Sequence, residues 1–173
     1  VALAKIARVH WAIQEKRYFT MAKETLNIWN SLESAKSADP GNYDADYLMG
    51  FLRYSIDNFR GMTGFISSML ITQGNRQKGL VEMQTAAQKG NLMRDMAQIQ
   101  LAGVYLNYEK QPARALSLIQ ELRKKYPDNY SFHFLNALAL MELGRLAEAE
   151  AMAVQIRDLI SIGKPPYVRE LEP

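Results

Sequence analysis

Residues 101–127 read LAGVYLNYEKQPARALSLIQELRKKYP, and residues 136–160 read NALALMELGRLAEAEAMAVQIRDLI. Laid over one another, the two stretches keep step. Ala115 and Ala149 lie 34 residues apart, and the pairs Ile119 with Ala153 and Leu122 with Ile156 hold that spacing. Ala102 with Ala137 and Tyr105 with Leu140 are spaced by 35, which puts one extra residue in the Glu109–Pro112 turn. An earlier copy fits as well: Gly74, Gly79, Met83 and Ala86 match Gly144, Ala149, Ala153 and Ile156 at a constant offset of 70. A period in this range marks stacked supersecondary units. Where two antiparallel helices cross closely, only Gly or Ala leaves room. The apolar residues around that point fill the groove against the next pair.

Working outward, helical spacing of apolar residues runs through almost the whole chain. Expected helices cover Val1–Glu15, Phe19–Ala35, Asp44 through Ile56, the Gly-interrupted run after Asn58, Gln77–Lys89, Leu92–Tyr108, Ala113–Tyr126, Tyr130–Leu143 and Ala147–Ile160. The count is about nine helices joined by short turns. The separators obey helix-end chemistry. Asp39-Pro40-Gly41-Asn42 is a strong breaker, and Asn91 and Asp128 or Asn129 suit N-cap positions. Pro112 can open a helix without losing a hydrogen bond. Arg123-Lys124-Lys125 meets the negative end of a helix dipole. No alternating strand pattern of useful length occurs, and the tail from Ser161, with Pro165 and Pro166, reads as coil.

These positions resemble the tetratricopeptide repeat family. Its pattern is an aromatic residue, Leu-small, a large residue, Gly in the turn, Ala, an aromatic or aliphatic residue, Ala and Pro. Leu101-Ala102, Tyr105, Ala115, Ile119, Leu122 and Pro127 match it, as do Ala137, Leu140, Gly144, Leu146, Ala149, Ala153 and Ile156. Four departures stand out: His133 replaces the usual Trp, Asn136 replaces Leu, Ser161 takes the place of the closing Pro, and Pro165 follows four residues late. Gln73–Leu80 is further similar, faintly, to the tetratricopeptide-repeat-39 family of eukaryotes. The resemblance implies an all-α superhelix of antiparallel hairpins, with units near 1–36, 60–90, 94–127 and 128–161. An extra helix falls near 44–58, outside any unit, and a coil tail covers 162–173.

The same resemblance implies that the first helix of each hairpin lines a concave face. The residues so placed are Met96, Ile99, Gly103, Leu106 and Asn107, then Ser131, Phe134, Leu138, Met141 and Glu142. The set is largely apolar and lacks the Lys and Arg clamp that carboxylate capture needs. A partner peptide or helix with apolar anchors fits it better. The plain alternative is that the tail or a neighbouring helix simply covers these residues.

Composition narrows the function classes. Of 173 residues, 48% are hydrophobic and 23% charged, a globular balance. With no cysteine there is no disulfide framework, no Cys-ligated zinc, no iron–sulfur cluster and no thiol nucleophile. A net charge of +3, evenly spread, does not mark a nucleic-acid binder. His10 and His133 are the only histidines and lack a second His at ligand spacing, so no metal and no cofactor is expected. Gly61–Gly64 lacks the Lys-Ser/Thr pair of a phosphate loop. No nucleophile elbow or triad occurs, and Glu148 and Glu150 read as a solvated face. No stretch is apolar enough to span a bilayer. The first residue is Val1, which suggests a processed product or a cut-out of a longer chain, with any export signal upstream and a lean toward the bacterial envelope. The expectation is a non-catalytic scaffold for another protein or peptide, with self-association or an accessory role in a larger enzyme or envelope protein as the alternatives.

Overall fold

A computed structural model describes residues 18–58 and 74–161. Among these residues every regular element is an α-helix. We number them α1 (Tyr18–Ala38), α2 (Tyr43–Asn58), α3 (Arg76–Lys89), α4 (Arg94–Asn107), α5 (Pro112–Lys125), α6 (Tyr130–Glu142) and α7 (Leu146–Ser161). Seven helices thus stand against the nine expected; the other two stretches, 1–15 and the run after Asn58, lie outside the described residues. So do His10, the Gly61–Gly64 run and the tail. The chain divides into two compact units between Ala97 and Gln98, within α4.

In the first unit, α1 and α2 fold back on one another through Asp39–Asn42. The turn is tied by side chains. Asn42 Oδ1 accepts from the Ala45 N–H at 3.1 Å, capping α2, and Asp39 Oδ1 accepts from the Gly41 N–H at 2.9 Å. Lys36 Nζ donates to Pro40 O and to Asp46 Oδ2, each at 2.8 Å. Ile28, Trp29 and Leu32 of α1 bury against Ala45 and Met49 of α2.

The helix that the sequence pattern left without a place, α2, is the antiparallel neighbour of α3. Its start lies at the end of α3, its middle crosses the middle, and its end meets the loop before Arg76. At the crossing the backbones touch. A Cβ on Gly79 would sit 2.6 Å from Gly50 O, and one on Gly50 would sit 2.7 Å from Gly79 O. Arg53 pairs with Glu82 across this seam and lies 4.5 Å from the centre of the Trp29 ring. Below the crossing, Met83 and Ala86 are fully buried.

The second unit carries the rest of α4 with α5, α6 and α7. Gln98 Nε2 donates to Glu121 Oε2 at 2.9 Å, Gln111 N donates to Tyr105 O at 2.8 Å, and Arg114 lies over the Tyr105 ring at 5.7 Å, so α4 and α5 pair as a hairpin. Pro112 opens α5, as its missing N–H allows. Asn129 caps α6 through the Ser131 N–H at 3.0 Å. Tyr126 packs on Phe132 with ring centres 5.9 Å apart. Gly144 turns α6 into α7 with φ at +71°, a left-handed conformation open to glycine. Ala102, Ala115, Ala137 and Ala149 are all buried, as Gly79 is in the first unit. The small residues expected at helix crossings therefore lie in the interior.

Two expectations change. Asn91 does not cap the next helix, which begins at Arg94 and not Leu92. The segment just before that helix is instead held from 47 residues away: Asp44, at the start of α2, accepts the N–H groups of Asn91, Leu92 and Met93 at 2.8–3.0 Å. The equivalence of the repeats also fades in α7. Ile119 and Leu122 of α5 are fully buried, whereas Ala153 is exposed and Ile156 half-buried, because α7 seals only Ala149 against its neighbours.

Candidate partner-binding face

The α6 sequence sorts its residues by side. Phe132, His133, Asn136, Ala137 and Leu140 turn inward and are buried. Phe134, Leu138 and Met141, spaced by four and three, share the other side. Phe134 is 54% exposed and Met141 56%, with Leu138 half-buried between them and Glu142 exposed at the end of the row. Large apolar side chains so placed on one helix face are a contiguous feature, not scattered surface residues.

The α4 face is narrower than expected. Met96 is 51% exposed, Ile99 half-buried and Asn107 exposed; the Asn107 amide folds back to donate to Gly103 O at 2.9 Å. A Cβ on Gly103 would meet nothing within 4 Å, so the backbone there is open. Leu106, however, is buried and is a core residue, not a groove residue. Between Ala97 and Leu106 only Ile99, Gln100 and Gly103 escape full burial. That buried arc takes in Leu106 at its margin.

The two polar residues that break the repeat pattern also point inward. His133 Nε2–H donates to Pro127 O at 2.8 Å, so this histidine closes the α5–α6 turn and is a packed residue, not a ligand. Its Nδ1 and the Oδ1 of Asn136 are buried without partners. Glu148 accepts twice from Arg145 at 2.6 Å on an exposed face, as expected of solvated charge. Among the described residues no group of His, Cys, Asp or Glu is placed to hold a metal ion, and no helix is long and apolar enough to cross a membrane. The family resemblance placed Phe134, Leu138 and Met141 on a non-packing face, and they are not fully buried; it misplaced Leu106, because burial at the edge of a helix face depends on neighbours that local sequence does not name.

The tetratricopeptide repeat family model matches residues 106–158. The match covers α5, α6 and most of α7, the span with the clearest period. It stops short of Gln73–Leu80 and lends nothing to the narrower likeness with the tetratricopeptide-repeat-39 family. No curated protein and no solved structure matches the chain. Repeats of this superfamily are in general non-catalytic modules for protein interaction.

Proposed function

Since residues 106–158 match the tetratricopeptide repeat family model, we propose that the chain holds a segment of another protein against the open faces of its hairpins and performs no chemistry of its own. The observation that carries this reading is the Phe134–Leu138–Met141 row, which presents two half-exposed large apolar side chains on a helix otherwise packed into the core. An apolar helix or extended segment would place its anchors there, with Met141 adapting to the shape of the partner. A rigid hairpin adds little ordering cost on its own side of the complex.

The test is retention of a partner by the wild-type chain and by Phe134→Ala and Leu138→Ala variants. Removing a central anchor is expected to cost about 1–2 kcal/mol, roughly 5- to 30-fold in affinity, with the helical circular dichroism signal unchanged. Loss of the helical signal in both variants would make these residues core and defeat the reading. A second reading is self-association through α7, which leaves Leu146, Val154 and Ile160 exposed.

A further inference from the structure

Arg123, in the last turn of α5, is half-buried, and its Nη2 donates to Gln155 Oε1 of α7 at 3.2 Å. Its Nε is closed to solvent and donates to nothing. None of the ion pairs among the described residues includes it. Burial holds the guanidinium below its ordinary value, with no carboxylate beside it to offset the effect. Beside it opens a pocket of about 380 Å³, lined among the described residues by Gln120, Arg123 and Lys124. Gln120 stands three residues before Arg123 and four before Lys124, so it neighbours both on the surface of α5.

Cations in a last helical turn are ordinarily explained by the helix dipole. That accounts for Lys124 and Lys125, but a dipole supplies no acceptor to a buried Nε–H. A partly desolvated guanidinium without a counter-ion is costly unless something else brings the negative charge. We propose that this pocket binds an oxyanion, a carboxylate or phosphate group. Arg123 offers its planar fork, Lys124 the second positive charge and Gln120 a neutral donor. Nε–H and Nη2 share one edge of the guanidinium, the pair of parallel donors that a planar oxyanion takes. Because Nε is covered in the unliganded protein, binding includes a side-chain adjustment of Arg123 or Gln155. The site shares no residue with the α6 row, so either assignment can fail alone.

Thermal unfolding in inorganic phosphate, against sodium chloride at matched ionic strength, tests the site. The wild-type Tm is expected to rise saturably in phosphate beyond its value in chloride. Arg123→Met should weaken that response about tenfold or more and Lys124→Met by less. Acetate is the second arm: a comparable saturable rise assigns a carboxylate, and a response to phosphate alone assigns a phosphate group. No gain over chloride, or an equal gain in wild type and both variants, overturns the proposal. Should Arg123→Met lose its helical signal, Lys124→Met decides, because Lys124 is exposed and its truncation leaves the core alone; an undiminished gain there is fatal to it.

Discussion

At the scale of single residues, Gly79 shows how little room a helix crossing leaves. An added methyl would lie 2.6 Å from the Gly50 carbonyl oxygen and 2.8 Å from the Tyr54 nitrogen, and both are backbone atoms that cannot rotate away. Ala in place of Gly gains about 1 kcal/mol of helix propensity. Forcing two packed backbones apart costs about 1–3 kcal/mol. The clash should prevail, and Gly79→Ala is expected to destabilise by up to about 2 kcal/mol in urea unfolding followed by circular dichroism. A stabilised variant would mean that α2 and α3 do not meet there. Gly79 was legible, because its spacing repeats at Ala149. Gly50 was not. Its partner lies 29 residues on, and no repeated spacing marks it. Asn129, Pro112 and Gly144 were legible for the opposite reason: caps and turns are settled within a few residues. Asn136 marks the limit of pattern reading. Its departure from the repeat is visible in sequence, but only the fold shows that it is 2% exposed with an unpartnered carbonyl oxygen.

At the scale of elements, α4 begins where another helix tells it to. Burial by itself would raise the Asp44 carboxyl's pKa. The hydrogen bonds from Met93, Leu92 and Asn91, with the charge of Arg94, outweigh burial and hold it below the ordinary 3.8. A carboxyl lowered in the folded state adds stability above its unfolded value and loses it as pH falls through the folded value. The contribution of Asp44 is therefore complete above about pH 4 and fades in more acid solution. Asp44→Ala is expected to cost about 1 kcal/mol near neutrality, the order of a net hydrogen-bond contribution, and the gap to wild type should close as pH drops below about 4. Urea midpoints for both proteins across pH 3–7 would show it. A gap that stays constant into acid would mean that the charged carboxylate is not what holds Asn91–Met93. No local pattern could reveal this tether, because its acceptor stands 47 residues before the first donor. Local chemistry favoured Asn91, and the tertiary contact supplied a stronger acceptor.

At the scale of the whole molecule, the question is whether exposed apolar surface drives self-pairing. Along α7 the large exposed side chains are Leu146 at 65%, Val154 at 43% and Ile160 at 55%. Leu146 and Ile160 fall on one line with Ala153, while Val154 lies on another with Ala147 and Ala151. The exposed Glu150 and Arg157 stand between the two lines. A helix of 16 residues is about 24 Å long, so a stripe roughly 10 Å wide offers about 240 Å² of surface. A stable dimer buries about 800 Å² on each partner. The α7 stripe alone falls short by a factor of about three, and a net charge of +3 adds a weak repulsion between copies. The chain is therefore expected to scatter light as a monomer at micromolar concentration. A dimer under those conditions that Ile160→Asp dissolves would transfer the assignment to self-association through α7. A dimer indifferent to Ile160→Asp but broken by Phe134→Ala would instead make the α6 row the self-pairing face and a second copy of the chain its occupant.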